Sequence, residues 1–378
     1  MHRTATHHQD GDLDELPAPQ PVHYAEQALL GALLLEPQRL HELPGTIAPA
    51  SFSNTAHGAL FSAIRDLPLP DPIEHARTTR WLDAVLNTAR RQTPGLTAAY
   101  IHQLVQVCPW PKHAGTYARM IEADHARRVL RAEAQRLAQT ATDTTLPHPV
   151  ATTLQQADIL TVLIDGLAAR FPPHPGPPPR TPQAPPSPPL GRTEEALDEE
   201  TLLLATATAQ PSEAATMRWL TPEDFTHPLH AGLWHCITTL TRRNTPVDPV
   251  TVLWEAQHRS LLTAGTDPAE VLQLLAAAPA GAPQHWGQRI LQRAVLGTAH
   301  HAGIRIEAHT KDPTNTPYQL IVGTRRALAD LSGARARCHR ATSSPPAASP
   351  ERTRAASPPP RAGPPPTAPP PYAQRTAR

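Results

Sequence analysis

Hydrophobic positions along this chain recur with the period of a helix and never settle into the alternation of a strand. Between Thr55 and Leu67, the residues Leu60, Phe61, Ile64 and Leu67 fall at i, i+1, i+4 and i+7, which is one face of an α-helix. Leu233, Trp234, Ile237 and Leu240 repeat that spacing. No alternating run bounded by turn residues persists, so the pattern predicts an all-α chain. Start signals agree: Thr221-Pro222-Glu223-Asp224 offers a capping hydroxyl, a first-position proline and first-turn acids, and Asp248-Pro249 does the same before Val250 to His258. Longer helices are predicted over Thr116 to Gln139 and Thr152 to Phe171, the latter striped by Leu160, Leu163, Ile164, Leu167 and Phe171. A second long pair spans Trp286 to His301 and Tyr318 to Leu331, with Ile321, Leu328 and Leu331 on one side. Each pair reads as a helical hairpin.

The two spans are copies. Phe52, His57, Leu60, Phe61 and Ile64 match Phe225, His230, Leu233, Trp234 and Ile237, displaced by 173 positions from Phe52 to Phe225. The same displacement pairs Glu26, Leu29, Leu30 and Ala32 with Glu199, Leu202, Leu203 and Ala205, with a one-residue gap between the blocks. Tyr117 and Ile121 share the spacing of Trp286 and Ile290, displaced by 169. A period this long is a duplicated domain, since solenoid repeats are far shorter.

Proline sets the domain plan. It supplies 47 of 378 residues, with 11 of the 18 positions from Pro172 to Pro189 and 12 of the 36 from Ser343 to Arg378. Such stretches lack the apolar period that offsets the entropy of ordering, and lean to polyproline II. The expected organisation is therefore a disordered N-terminus over 1–23, a helical domain over 24–171, a disordered linker over 172–193, a second helical domain over 194–331 and a disordered tail over 332–378. Each domain is read as a small helical bundle with a C-terminal hairpin. The 18 proline-rich linker residues would reach about 56 Å at ~3.1 Å each, enough for the two hairpins to pair within one chain.

Charge narrows the function. Lys and Arg number 34 against 33 Asp and Glu, a net +1, which argues against a protein that coats DNA or a membrane surface. The longest apolar run, Ala28 to Leu35, is far short of the ~20 residues a bilayer span needs, and Met1 to Leu16 is His- and Asp-rich with no leader pattern. Cys108, Cys236 and Cys338 are scattered and odd in number, as in a reducing compartment. The expected location is cytoplasmic, with no membrane contact.

The segment Tyr24-Ala-Glu-Gln-Ala-Leu-Leu-Gly-Ala-Leu-Leu-Leu resembles the opening helix of the N-terminal domain of DnaB-type replicative DNA helicases. The Phe-x-x-x-x-His-x-x-Leu-aromatic helix, the run Pro246-Val247-Asp248-Pro249-Val250-Thr251 and Tyr117-Ala-Arg-Met-Ile are similar to its later landmarks. The first copy departs from the pattern at Pro68 to Glu74 and the second at Leu204 to Ala209. The resemblance implies two such domains in tandem, without the motor domain. It further implies hairpin pairing and partners among the replication proteins, namely the helicase, the primase or a second copy of the chain. The hairpin residues carried over as the partner interface are Tyr117, Ile121, Leu160, Ile164, Leu167, Trp286, Ile290, Ile321 and Leu328.

Catalytic chemistry finds little to stand on. A P-loop needs G-x-x-x-x-G-K-[ST], yet the two lysines, Lys112 and Lys311, lie in Pro-Lys-His and Thr-Lys-Asp. ATP-driven unwinding by this chain alone is not expected, and no nucleophile elbow, cofactor motif or oriented acid/base pair is legible. His227, His230, His235 and Cys236 form the densest ligand cluster, but no second pair lies at a zinc-finger distance, so no metal is expected. His57 and His230, matched between copies, read as a shared packing or hydrogen-bonding element. Arg127, Arg128, Arg131 and Arg136 could track phosphates, as could the tail arginines Arg352, Arg354, Arg361, Arg375 and Arg378, the basis of an alternative reading as a DNA-binding accessory protein. The interspersed Glu122, Asp124 and Glu133 favour a mixed-charge exposed face.

Overall fold

The computed structural model describes residues 20–173, 193–263 and 265–343. Among these the chain is all-α, without a strand. The stretches of proline-rich linker and tail that fall in 174–192 and 344–378, and the N-terminus through residue 19, lie outside the described residues.

The first half opens with α1 (Pro21–Leu35), α2 (Thr55–Asp66), α3 (Pro72–His75), α4 (Arg80–Arg90) and α5 (Ala98–Val107). Helix α1 is apolar almost all round because it runs through the middle of this head. Leu29, Leu30, Leu33 and Leu34 are buried, and α5 crosses so closely at Gly31 that a Cβ there would collide with the Leu104 carbonyl oxygen. The sequence departure at Pro68 to Glu74 shortens α3 to one turn yet keeps its cap: the Asp71 carboxylate accepts from the amides of Ile73 and Glu74.

Two long helices follow, α6 (Ala114–Thr142) and α7 (Pro149–Arg170). The second half repeats the plan with α8 (Glu194–Ala209), α9 (Pro211–Ala214), α10 (Pro228–Arg242), α11 (Pro249–His258), α12 (Pro268–Leu275), α13 (Pro283–Lys311) and α14 (Pro317–Thr342). Thr221 to Asp224 does not start a long helix as its sequence predicts. It forms a single 3-10 turn with a capping box, and the helix carrying Leu233 begins at Pro228. Helices α13 and α14 run well past His301 and Leu331, where the apolar stripes thin out. In α8, Thr206 and Thr208 are buried where α1 has Ala32 and Leu34. Their hydroxyls bond back to the Leu202 and Leu204 carbonyls, which removes the desolvation cost of the exchange.

The hairpins are the most faithful part of the duplication. Both α6 and α13 have 29 residues, displaced by 169. Each is closed by the same turn: Asp143 accepts from the amide and hydroxyl of Thr145 at 2.9 and 2.6 Å, and Asp312 accepts from those of Thr314 at the same distances.

Apolar packing divides the chain differently from the linker. One cluster is confined to the first head and ends at Ile121. The other joins Leu130, Leu137, Leu160, Ile164 and Leu167 of the first hairpin to the second hairpin and the second head. The first hairpin is therefore fused into the core of the second half.

Candidate functional site

Two arrangements recur in the fold, a buried carboxylate and histidine in each head and a junction where the hairpins meet. In the first head, His57 Nδ1 donates to Glu26 Oε2 at 2.6 Å, the Ser53 amide donates to Glu26 Oε1, and the Tyr100 hydroxyl meets His57 Nε2 at 2.6 Å. In the second, His230 Nδ1 donates to Glu200 Oε2 at 2.8 Å, while the amide and hydroxyl of Thr226 donate to Oε1 at 2.6 and 2.7 Å. Both glutamates are buried. Burial alone would push each carboxyl up, but the bonds from the histidine and the backbone outweigh it and hold both below the usual carboxylate range. The pair ties the first helix of a head to the loop entering its His helix.

This geometry corrects the sequence register. Glu26 corresponds to Glu200, a displacement of 174, so the match of Glu26 to Glu199 is one residue off. Glu199 instead pairs with Arg289 and Arg293 of α13. The partner of the core histidine is a carboxylate on the first helix of its head, and shifting the alignment by one residue would have found it.

Hairpin pairing sets α6 antiparallel to α13 and α7 antiparallel to α14. Ala134 and Gly303, equivalent residues, face each other where the long helices cross. A Cβ on Gly303 would lie 2.7 Å from the Ala134 carbonyl oxygen and 2.9 Å from Ala138 Cβ. Around this point the contacts repeat with roles exchanged. His300 Nδ1 donates to the Ala138 carbonyl at 3.2 Å, and Glu307, the counterpart of Ala138, feels the charge of Arg131, the counterpart of His300. Such reciprocity marks an approximate two-fold axis, the signature of an isologous contact, here within one polypeptide. On the outer helices, Arg325 pairs with Asp165 at 2.8 Å and Arg335 with Asp158 at 3.1 Å.

Arg127 breaks the symmetry. It donates to the carbonyls of Thr310, Asp312, Pro313 and Asn315, capping the C-terminal end of α13, where the helix dipole favours a cation. Arg131 reaches Thr310 as well, with its Nη2 2.8 Å from the carbonyl. The arginine row is thus no phosphate track, and for Arg127 and Arg131 no exposed mixed-charge face either. Arg128 bonds Asp124 and the Ser51 carbonyl, and Arg136 pairs with Glu133. Arg127→Ala is expected to lower stability by about 2–3 kcal/mol, because bonds from a charged donor are lost at half-buried carbonyls, and a urea-denaturation midpoint measures it.

The nine sequence-selected residues fall into two groups. Leu160, Ile164, Leu167, Ile290, Ile321 and Leu328 are buried together in the shared cluster, and Trp286 packs against it with its indole N–H on the Ala280 carbonyl. Tyr117 and Ile121 belong to the first head. Gly303 and Glu200 are not singled out by the sequence, and Arg127 and Glu26 stand in it only as a possible phosphate contact and a repeat position. The repeated Asp-x-Thr turn, displaced by the same 169 as the long helices, was the available signal for the hairpin register.

Among the described residues, His23, Glu26 and His57 bring possible metal-ligand atoms within 4.8 Å of one another. Both Glu26 oxygens and both His57 nitrogens already have hydrogen-bond partners, so the group is satisfied without an ion. The His227 and His230 rings lie 4.6 Å apart, tilted to each other, but Cys236 lies in the core with its thiol pushed up to about 11 by burial, a poor ligand. No described helix is long and apolar enough to cross a membrane.

The family model of the DnaB-like helicase N terminal domain matches residues 18–123 and again 192–288. The chain belongs to the DnaB-like helicase N-terminal domain family. Each DnaB-like match covers one head and the first turns of its hairpin, so most of the paired hairpins lies beyond it. No curated protein and no solved structure matches the chain.

Proposed function

We propose that the chain is a non-catalytic interaction module of DNA replication, a pair of DnaB-like N-terminal domains assembled within one polypeptide that docks on a replicative helicase or primase in the cytoplasm. The observation that carries this reading is the junction at Ala134 and Gly303: the hairpin faces a lone domain would offer to a second copy are already covered. Partner binding then falls to the outside, where Ile159 and Val162 on α7 and Val250 and Trp254 on α11 are large exposed apolar side chains. The DNA-binding alternative loses its main support because the arginine row is committed to carbonyls and carboxylates.

Light scattering is expected to give the mass of one chain. Immobilised protein should capture purified replicative helicase or primase from its own host, more weakly in Val162→Asp or Trp254→Ala, with no ATP hydrolysis by the chain alone. A stable dimer, or capture of neither protein, would overturn the reading.

A further inference from the structure

The second head carries a groove of about 760 Å³, within the size range of ligand sites, between the turn that follows α9 and one face of α10. It is backed by the buried side chains of Met217, Leu220 and Trp234 and edged by Ala215 and Pro222. The polar groups of this wall are already spent. The Trp234 indole N–H donates to the Leu220 carbonyl at 3.2 Å, and the hydroxyls of Thr238 and Thr241 donate to carbonyls of their own helix at 3.0 and 2.8 Å.

The ionisable lining is basic only: Arg218, Arg242 and the imidazole of His235, with no carboxylate among them. Among the described residues Arg218 has neither a hydrogen bond nor an ion pair, and Arg242 reaches only a carbonyl and a hydroxyl of its own helix, at 3.3 and 3.4 Å. Elsewhere on the chain arginines such as Arg289, Arg325 and Arg335 each find a carboxylate. Of the two acids that His235 feels, Glu255 is committed to Arg259 at 2.9 Å, which leaves Glu223 as a counter-charge at that end alone.

The first head has no such lining. The displacement of 173 holds through this turn, since the Ile47 amide bonds to the Pro44 carbonyl as the Leu220 amide bonds to that of Met217. It sets Gly45 and Ser62 where the second head has Arg218 and His235. Helix α2 also stops at Asp66, whereas α10 continues past the matching Thr239 to Arg242. Positive charge thus distinguishes one copy of a shared scaffold, and no carboxylate in the groove takes it up.

Complementarity names the occupant. Guanidinium forks bind carboxylates in pairs of bonds, and an apolar back wall favours a large apolar side chain beside them. A nucleic acid fits poorly, because its affinity comes from a track of many phosphate contacts and this groove offers two arginines over an apolar wall. We propose that the groove between α9 and α10 docks an acidic peptide segment of a partner protein, in which a large apolar residue stands next to carboxylates that pair with Arg218 and Arg242. This goes beyond the docking on helicase or primase, and its test uses neither protein, so that either idea can fail alone.

A phage-displayed library of random peptides of about twelve residues, selected on the full chain and depleted on the double variant Arg218→Glu, Arg242→Glu, isolates binders of this groove. Survivors are expected to carry Asp or Glu beside Leu, Phe or Trp. A synthetic survivor followed by fluorescence anisotropy should bind the double variant at least about tenfold more weakly, as the loss of charge-assisted bonds requires. A version with lysines in place of its acids should prefer the double variant, a reversal that a merely structural role of the arginines would not produce. Both positions are exposed. Where circular dichroism shows the double variant to be misfolded, Arg218→Ala with Arg242→Ala takes its place in the depletion and binding steps. No surviving peptide, survivors without carboxylates, or equal affinity for the two proteins overturns the proposal. An oligothymidylate that displaces the peptide and binds more tightly at the same salt overturns it too, assigning the groove to a nucleic acid.

Discussion

Glu26→Ala is expected to destabilise the first head by about 2–5 kcal/mol, since removing the buried carboxylate leaves the donors that bond to it without an acceptor, at roughly 1–3 kcal/mol each. Here the stranded groups are the His57 ring and the Ser53 amide. Glu200→Ala should lose a similar amount, stranding His230 and Thr226. The two variants should nevertheless unfold differently. The first head has its own apolar cluster, so Glu26→Ala should give an early transition confined to helices α1 to α5, with the remainder melting near the wild-type midpoint. The second head shares its cluster with both hairpins, so Glu200→Ala should carry them with it in one larger transition. Far-UV circular dichroism through a urea titration separates the cases, and identical single transitions would refute the division into two cores.

The same pairs set the response to acid. Both carboxyls are held below their ordinary values in the folded chain, so their contribution is full above the unfolded value of about 4.3 and is lost as pH falls through the folded value. Stability measured from pH 6 to pH 3 should decline below about pH 4.3. The double variant Glu26→Gln, Glu200→Gln should start lower and decline less over that window.

Much of the fold is legible in the sequence because helices announce themselves by period and cap. The faces through Leu60 and Leu233, the Asp248-Pro249 start and the duplication all follow from spacing. What was not legible depends on pairwise geometry. The ends of α13 and α14 carry few large apolar residues, because small residues such as Ala299, Ala302 and Gly303 let another helix approach. A hydrophobic stripe therefore fades where the packing is closest. Arg127 reads as one more surface charge until the end of α13 is placed against it. The Glu200 register was hidden by the run Glu199-Glu200, two carboxylates of which one faces the core histidine and the other the arginines of α13.

Gly303→Leu should do the most damage to the hairpin junction. Even a Cβ at this position would lie 2.7 Å from the Ala134 carbonyl oxygen and 2.9 Å from the Ala138 amide nitrogen, which are backbone atoms that cannot swing aside. The long helices must separate, at a cost of about 3 kcal/mol or more. Separation uncovers Leu130, Leu137, Val295 and Ile306, all fully buried in the intact protein. Freed faces of this kind pair with their like, so the expected product is a dimer in which each hairpin takes its partner from another chain, seen as a doubling of the light-scattering mass. Ala134→Leu supplies the decisive comparison. Ala134 is the counterpart of Gly303 across the approximate two-fold axis and is itself fully buried, so its enlargement should produce the same loss and the same doubling. If Ala134→Leu stayed monomeric and as stable as wild type while Gly303→Leu did not, the axis would not pass between these two residues, and the chain's claim to be an internally completed pair would fail with it.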